Sequence, residues 1–443
     1  MTAQRTADVV VVGAGIAGVS TAFHLSVRHG VAKVTLVDPR PPLTLTSDKS
    51  TECYRNWWPN RPMVGLMNRS IDIFEELAAE SNNAFGLSRR GYLFVTAQKE
   101  QMQVMLDQAG LASSFGGGAV RTHPGPADYG DSPDGVDILG PAELAEHFPY
   151  ITDSAIGGVH VRRAGWFSAQ QLGAWMLDQA REAGTELVID EVVGISVDNG
   201  SVTGVTLADG SAIRTPVVVN AAGPLSARVG SLAAVDLPLF SELHLKVAFR
   251  DHHGVIPRDA PMIIWSDTQE IGWTPEERTE LSRMGRNDLL GTMPIFCHGR
   301  PEGSGDSPYF LALWEYHREV LEPIWPLPDD PLYPEAVMRG LTTMVPGLNV
   351  YEDGLPESTV DGGYYTKTRE NRPLIGPGGP EGFHLMTGMS GFGIMVSAGA
   401  ADLAARHIVG APLPDYAEAF LLSRYDDPGY IAEIEAVEDS GQL

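Results

Sequence analysis

At the start of the chain, two short apolar runs are separated by a segment whose apolar residues have the spacing of a helix. Residues 8–12 form an apolar, β-branched run typical of a buried parallel strand, and residues 33–38 form a second one. Between them, residues 16–29 have the apolar spacing of a helix. This order of strand, helix and strand predicts a parallel βαβ unit.

Helical spacing recurs along the rest of the chain. It predicts helices over residues 63–80, 98–110, 141–147, 168–183 and 394–408. The composition of residues 112–135, which are rich in Gly, Ser, Pro and Asp, predicts a surface loop.

Extended segments separate these helices. Residues 91–96 and 217–220 are predicted strands, and between residues 186 and 216 a β-meander is predicted from the turn signals Asn199-Gly200 and Asp209-Gly210. Residues 238–350 alternate strands with loops and carry many aromatic side chains, which indicates a mixed or antiparallel sheet.

The turn after the first strand carries a glycine motif. Gly13, Gly15 and Gly18 have the spacing G-x-G-x-x-G, and Asp38 ends the second strand 20 residues after Gly18. Gly13 permits a tight turn and Gly15 permits close approach of a pyrophosphate, which the helix N-terminus attracts. Asp38 is placed to accept hydrogen bonds from a ribose. The motif predicts dinucleotide binding, with a purely structural βαβ turn as the alternative, and does not distinguish FAD from NAD.

The composition argues against several classes of binding partner. The chain has 443 residues, 43% of them hydrophobic, and a net charge of −26, so it is expected to repel nucleic acid and anionic membranes. Its two cysteines are too few for a disulfide framework and show no metal-ligand spacing. No signal peptide and no membrane-length apolar stretch is evident. We therefore expect a cytoplasmic protein without a metal, a membrane partner or a nucleic-acid partner.

Three segments in this order resemble the D-amino acid oxidase superfamily, in particular its glycine oxidase, sarcosine oxidase and dimethylglycine oxidase branch. They are the N-terminal motif, residues 217–230 (VVVNAAGPLSARVG) and residues 372–410, which contain GMSGFGIMVSAGA. The resemblance implies FAD as the cofactor.

The pattern and the resemblance together predict a fold that is α/β plus α+β. A Rossmann-type FAD-binding domain is expected to interleave with a mixed-sheet substrate domain. The expected boundaries are 1–90, 150–235 and 355–415 for the FAD-binding domain, 91–149 and 236–354 for the substrate domain, and 416–443 for an acidic C-terminal tail.

Glycines before the last predicted helix are candidates for the flavin end of the cofactor. Gly388, Gly391 and Gly393 precede this helix, and glycines at a helix N-terminus present bare N–H groups and a positive dipole end. In enzymes of this type that end stabilises negative charge on the reduced flavin. Close helix packing is the alternative use of these glycines.

The resemblance implies further cofactor contacts. Asp38, Pro39 and Arg40 are expected beside the adenosine, Ser50 and Thr51 beside the pyrophosphate and flavin, and Val192 as a backbone contact. The full candidate set for cofactor binding is Gly13, Gly15, Ile16, Ala17, Gly18, Asp38, Pro39, Arg40, Ser50, Thr51, Val192, Ala222, Gly223, Gly388, Gly391, Phe392, Gly393 and Ile394.

The sequence departs from its relatives where some of them attach the flavin. Gly363 stands at the position of their cysteine, and residues 41–60 contain no histidine. The resemblance therefore implies noncovalent FAD. Met395 replaces the lysine that sarcosine oxidases use as a carboxylate partner, and residues 275–320 lack a lysine to activate oxygen. The electron acceptor is left open between O2 and an unknown carrier.

Four side chains are candidates for the substrate site. Tyr365 occupies the position of a tyrosine in sarcosine oxidases, whereas glycine oxidases have an arginine there. Arg55 matches an arginine near the flavin and is suited to bidentate binding of a carboxylate, with a surface ion pair as the alternative. Lys246 and Lys367 are candidate anion partners, with an ordinary surface position as the alternative.

The predicted activity is FAD-dependent oxidation of a C–N bond in a small secondary, N-methylated or amino-acid-like amine. The α-hydrogen would move as hydride to flavin N5, giving an imine that hydrolyses. Two alternatives stay open: an FAD-dependent 2-hydroxy-acid dehydrogenase and a flavin-binding subunit without turnover.

Overall fold

A six-stranded sheet forms the centre of the computed structural model, which describes residues 5–436. Its strand order is Glu186–Ile189, Val34–Asp38, Val9–Val12, Val218–Asn220, Phe383–Thr387 and Leu374–Pro377. All neighbours pair in parallel except the last two strands. The predicted βαβ unit is confirmed, and its first strand lies in the interior of the sheet.

Both faces of this sheet are covered. In the strand Val9–Val12, Val9 and Val11 pack into one apolar cluster with helices, whereas Val10 and Val12 pack into another with the β-meander. This alternation follows from the two-residue period of a strand and explains why every position is apolar. The helices on the first face are Ile16–Phe23, Arg61–Glu80, Ala169–Glu182 and Gly393–Val409. The strands on the second face are Arg5–Thr6, Ala212–Arg214, Ser201–Leu207 and Val192–Asp198.

A nine-stranded mixed sheet forms the second large element, as residues 238–350 and 91–96 predicted. Its order is Ser358–Lys367, Phe240–Arg250, Tyr309–Leu313, Cys297–Pro301, Met262–Trp265, Tyr92–Thr96, Gly157–Val161, Val136–Leu139 and Val120–Thr122. Most pairs are antiparallel, but Met262–Trp265 runs parallel to Tyr92–Thr96.

The remaining elements are two short ladders and six further α-helices within the described residues. Two-stranded ladders join Cys53–Arg55 to Ala164–Trp166 and Gln269–Glu270 to Thr292–Met293. The other α-helices are Lys99–Ser114, Pro141–His147, Ser226–Leu232, Pro275–Arg283, Tyr333–Met344 and Pro428–Ala436. Across residues 5–436 no helix combines the length and apolarity that a membrane span requires.

Three local predictions were incomplete. The helices Pro275–Arg283 and Tyr333–Met344 lie in a region predicted to contain only strands and loops. In the second of them Val337, Leu341 and Met344 are buried at helical spacing. Residues 112–135 include the strand Val120–Thr122 as well as loop. The first helix becomes a π-helical turn over His24–Arg28.

The predicted tail packs against the protein over its described part. Ala417 and Phe420 are buried, and Arg424 forms an ion pair of 2.6 Å with Glu370. These contacts anchor residues 417–426 through both apolar burial and charge. Residues 437–443 of the predicted tail lie outside the described residues.

Buried histidines are expected to make the protein sensitive to acid. Burial lowers the pKa of His24 from 6.5 to about 3, and neither ring nitrogen has a hydrogen-bond partner among residues 5–436. Between these two pKa values the unfolded chain binds a proton that the folded chain does not. The free energy of unfolding should therefore fall as pH drops from about 6.5 toward 3, by about 1.4 kcal/mol per pH unit for this residue.

Denaturant unfolding at pH 6.5, 5.5 and 4.5 measures this slope. His24→Leu should reduce the slope by about one proton, equivalent to about 1.4 kcal/mol per pH unit. His252→Leu is the matched control, because His252 is exposed. Equal slopes in His24→Leu and the parent protein would contradict the prediction.

Candidate active site

A long cleft of about 1080 Å³ follows the carboxyl ends of the central strands. It collects residues from the N-terminal motif, from the loop before residue 50, from the turn after Asn220 and from the start of the last long helix. The predicted cofactor residues that line it are Gly13, Gly15, Ile16, Ala17, Asp38, Arg40, Ser50, Ala222, Gly223, Gly388, Gly391, Gly393 and Ile394.

The glycines of the N-terminal motif keep this end of the cleft open. Gly13 has a φ of +106°, and a Cβ there would lie 2.5 Å from the carbonyl oxygen of Ala221. Gly15 lines the cleft and starts the helix Ile16–Phe23 as its N-cap. A bare backbone at a helix N-terminus is the environment that a pyrophosphate requires. The residues present therefore fit a dinucleotide.

Asp38 is held in place where the strand Val34–Asp38 ends at the cleft. One carboxylate oxygen accepts the Ala14 N–H at 2.8 Å and the other accepts the Arg40 N–H at 2.8 Å. Each oxygen retains a lone pair, so the carboxylate is able to accept a ribose hydroxyl as well. The guanidinium of Arg40 lies 5.3 Å from the ring centre of Trp325.

The opposite end of the cleft is the N-terminus of the helix Gly393–Val409. This helix has 17 residues, and no acidic side chain occupies its first turn to offset the positive end of the dipole. Ser390, which has a φ of +50°, donates its N–H to the carbonyl of Thr366 at 2.9 Å. Gly391, Gly393 and Ile394 line the cleft at this helix start, so an anionic ring there would lie at the positive end of the helix dipole.

Five predicted cofactor residues do not line this cleft. A Cβ at Gly18 would lie 1.8 Å from the carbonyl oxygen of Gly13, so this glycine serves helix packing. Pro39 is exposed, and Val192 is buried opposite Leu207 in the β-meander. Thr51 and Phe392 line a second cavity instead.

The second cavity encloses about 410 Å³ and shares Tyr365 and Gly391 with the cleft. A molecule in this cavity would therefore lie beside the residues that precede the helix Gly393–Val409. Its lining consists of Thr51, Arg55, Tyr92, Met262, Ile264, His298, Glu315, Tyr365, Gly391, Phe392 and Met395.

Arg55 brings a positive charge to the second cavity. It ends the short strand Cys53–Arg55, is 3% exposed, and donates from Nε to the carbonyl of Trp57 at 3.3 Å. Its guanidinium stacks over Trp58 at 4.6 Å. Burial lowers the pKa of Arg55, but a guanidinium stays charged in proteins. The structure thus places Arg55 in the lining of the cavity and not at the surface.

Tyr365 stands where the two cavities meet. Its ring stacks on His244 with centres 3.9 Å apart and planes 17° apart. Burial raises the pKa of Tyr365 well above 10, so the hydroxyl keeps its proton and is able to donate a hydrogen bond. His244 lines the cleft, and its Nδ1 has no hydrogen-bond partner among the described residues.

The two candidate lysines lie behind the residues that line the cleft and the second cavity. Lys367 is buried and pairs with Glu242 at 3.0 Å, and Glu242 also lies 3.2 Å from Nε2 of His244. Lys246 donates to the carbonyl of Ser50 at 2.8 Å. Neither lysine lines the cleft or the second cavity, and both support residues that do.

The sequence did not point to His298 and Glu315, two polar residues that line the second cavity. Nδ1 of His298 lies 2.8 Å from the carbonyl oxygen of Phe296, and a carbonyl only accepts, so Nδ1 carries the proton. Burial lowers the pKa of His298, which keeps the ring neutral and leaves Nε2 as an acceptor. Glu315 follows the strand Tyr309–Leu313 and is half-buried. The alternation of side chains along a strand predicts the face of the sheet on which a residue lies, but it does not predict that the face lines a cavity.

The sequence of this chain is similar to those of two kinds of curated protein. Over 261 residues it is 27% identical to mitochondrial sarcosine dehydrogenase of Homo sapiens, covering 56% of this chain and 26% of that protein. Over 247 residues it is 24% identical to sarcosine oxidase subunit beta of Arthrobacter sp, covering 54% and 56% respectively. The chain thus spans about a quarter to a half of the length of these curated relatives.

A solved structure matches over nearly the whole chain. L-proline dehydrogenase from P. horikoshii superposes with a TM-score of 0.74 at 20% identity, covering 96% of this chain and 98% of that one. This similarity establishes the fold. The family described as FAD dependent oxidoreductase matches residues 8–407, from the first strand of the cleft to the helix that closes it. The chain therefore belongs to this family of FAD-dependent oxidoreductases.

Proposed function

We propose that this protein oxidises the C–N bond of a secondary or N-methylated amino acid, using noncovalently held FAD. The observation that carries the proposal is the position of Arg55 and Tyr365 in a small cavity beside the N-terminus of the helix Gly393–Val409. The names of the similar proteins, which refer to sarcosine and proline, support an amino acid whose nitrogen is secondary.

The chemistry that FAD supplies when bound is acceptance of a hydride from the carbon beside the nitrogen. Arg55 binds the substrate carboxylate with its planar guanidinium and so fixes the orientation of that carbon. Nε2 of neutral His298 accepts a proton from the amine, which must lose its charge before hydride leaves. Apolar side chains such as Met262, Ile264 and Met395 exclude water from the reacting atoms.

The noncovalent attachment has a direct test. Gly363 lines the cleft at the position where some relatives carry cysteine, and the two cysteines of the chain, Cys53 and Cys297, are both buried outside the cleft lining. Precipitation with trichloroacetic acid should leave all yellow colour in the supernatant. Colour that stays with the pellet would contradict the proposal. The free cysteines also support a reducing compartment, and we propose the cytoplasm.

The experiment that tests the activity is an anaerobic substrate screen on the purified holoenzyme, followed by loss of the oxidised-flavin absorbance. N-methyl amino acids and proline should bleach the flavin, and readmitted air then shows whether oxygen is the acceptor. Bleaching only by 2-hydroxy acids would overturn the proposal in favour of a hydroxy-acid dehydrogenase. A flavin that no compound bleaches would favour a subunit without turnover.

Tyr365→Phe should lower kcat/KM without releasing FAD. The change removes one hydrogen-bond donor from the boundary between the cavities and keeps the ring that stacks on His244. Loss of a single neutral hydrogen bond corresponds to about a threefold to tenfold decrease. Steady-state kinetics with the best amine of the screen measure the change, and Tyr309→Phe, at an exposed position, is the control. An unchanged kcat/KM would show that the hydroxyl does not contact the substrate.

A further inference from the structure

We propose that Glu315 forms a cation subsite beside Arg55, so that the substrate is captured with a positive charge on its nitrogen. This inference rests on the proposed oxidation of an amino acid and names the form of the substrate that the cavity selects. Glu315 is a specificity-determining residue in this proposal. It binds the ammonium form, and the proton leaves afterwards.

The first observation concerns the partners of Glu315. Among the described residues, no hydrogen bond and no ion pair within 4.0 Å engages its carboxylate, although it lines the second cavity and is half-buried. Other shielded acids have a partner: Glu370 lies 2.6 Å from Arg424, and buried Asp267 accepts the Ala97 N–H at 2.7 Å. An unmatched carboxylate in a cavity is costly unless a ligand supplies the opposite charge.

The second observation concerns charge balance in the cavity. Burial lowers the pKa of Arg55 and of His298 and raises the pKa of Tyr365, and in each case the negative charge of Glu315 acts in the upward direction. All four groups therefore share one electrostatic environment. A ligand carboxylate bound to Arg55 therefore brings a second negative charge close to Glu315. A positive nitrogen in the same ligand offsets this repulsion, whereas a hydroxyl or methyl group does not.

The remaining lining suits an alkylated ammonium group. Aromatic rings of Tyr92, Tyr365 and Phe392 line the cavity together with Met262 and Met395. Aromatic linings attract methylated ammonium groups, and the acceptor Nε2 of His298 offers a hydrogen bond when the nitrogen carries a proton. The combination selects a compact zwitterion with carbon substituents on nitrogen. It also disfavours 2-hydroxy acids, which present a carboxylate alone.

A pair of ligands with the same shape tests the subsite. Trimethylglycine carries a quaternary nitrogen, has no lone pair and is not oxidised, and 3,3-dimethylbutanoate has the same shape with carbon in place of nitrogen. Both are titrated into the FAD-loaded enzyme, and perturbation of the flavin spectrum gives each Kd. The wild-type enzyme should bind trimethylglycine about tenfold more tightly or better. Glu315→Gln should bring the ratio close to one.

Matched controls separate this inference from the proposed function. Glu319→Gln changes an exposed acid of the same segment and should keep the wild-type ratio. A wild-type ratio near one, a ratio unchanged in Glu315→Gln, or no binding of either ligand would overturn the subsite. The ratio of the two dissociation constants does not depend on turnover. If that ratio contradicts the subsite but amines still bleach the flavin, the proposed C–N oxidation stands. A normal ratio in an enzyme that bleaches with no amine would instead overturn the proposed function alone.

Discussion

Gly15→Val is expected to give a folded protein that no longer retains FAD. Gly15 has extended backbone angles, φ −70° and ψ −177°, which valine also adopts, and a Cβ there would approach Ser47 Oγ at 3.2 Å. The added methyl groups would occupy the cleft at the helix N-terminus, where bare backbone must approach a pyrophosphate. We expect FAD affinity to fall at least about a hundredfold, because this contact fixes the dinucleotide.

Flavin content after gel filtration and the FAD dissociation constant of the apoprotein measure this effect. Gly110→Val is the matched control, since Gly110 is exposed in the helix Lys99–Ser114 and a Cβ there has no neighbour within 4 Å. It should retain one FAD per chain. Full flavin content in Gly15→Val, with an unchanged dissociation constant, would show that the pyrophosphate lies elsewhere.

Arg55→Lys is expected to have the largest effect on turnover among variants that keep FAD. The lysine preserves the charge but loses the planar fork, and it leaves a gap over the ring of Trp58. Losing a buried, hydrogen-bonded charge contact costs about 2–5 kcal/mol, so kcat/KM should fall by about two to three orders of magnitude. Steady-state kinetics on the amino acid identified by the screen give this value.

A change of substrate distinguishes a carboxylate contact from general damage. Arg55→Lys should lose much less kcat/KM on the corresponding amine without a carboxylate than on the amino acid. Arg61→Lys serves as the control, because Arg61 is exposed and pairs with exposed Asp415 at 3.3 Å. Equal losses on both substrates would mean that Arg55 supports the cavity without binding the carboxylate.

The parts of the site that follow from the sequence are those made by local backbone. The spacing of Gly13 and Gly15 after an apolar run, and of Gly391 and Gly393 before a helix, fixes a turn and a helix start within a few residues. The structure confirms both helix starts, with Gly15 as the N-cap of Ile16–Phe23 and with the last long helix beginning at Gly393. Such features depend on short-range geometry, so a single sequence reveals them.

The substrate cavity depends instead on long-range pairing. His298 and Glu315 come close to each other because Cys297–Pro301 and Tyr309–Leu313 are neighbours in the nine-stranded sheet, whereas Arg55 reaches the same cavity from a separate two-stranded ladder. Scarcity of lysine drew attention to Lys246 and Lys367, but neither lines a cavity. Cross-strand register sets Lys367 near Glu242, since Glu242 pairs with Tyr365 two residues away. A register of this kind has no local signal in the sequence.

The order of strands in the central sheet has a consequence for biosynthesis. Val9–Val12 lies between Val34–Asp38 and Val218–Asn220, and the strand beyond them, Phe383–Thr387, precedes the helix that closes the cleft. A ribosome therefore releases the glycine turn after Val12 first and the start of the helix Gly393–Val409 hundreds of residues later. A cofactor that contacts both has to wait until residue 393 has been translated. A message truncated before residue 393 would yield a nascent chain that holds half of a nucleotide site and no means of closing it.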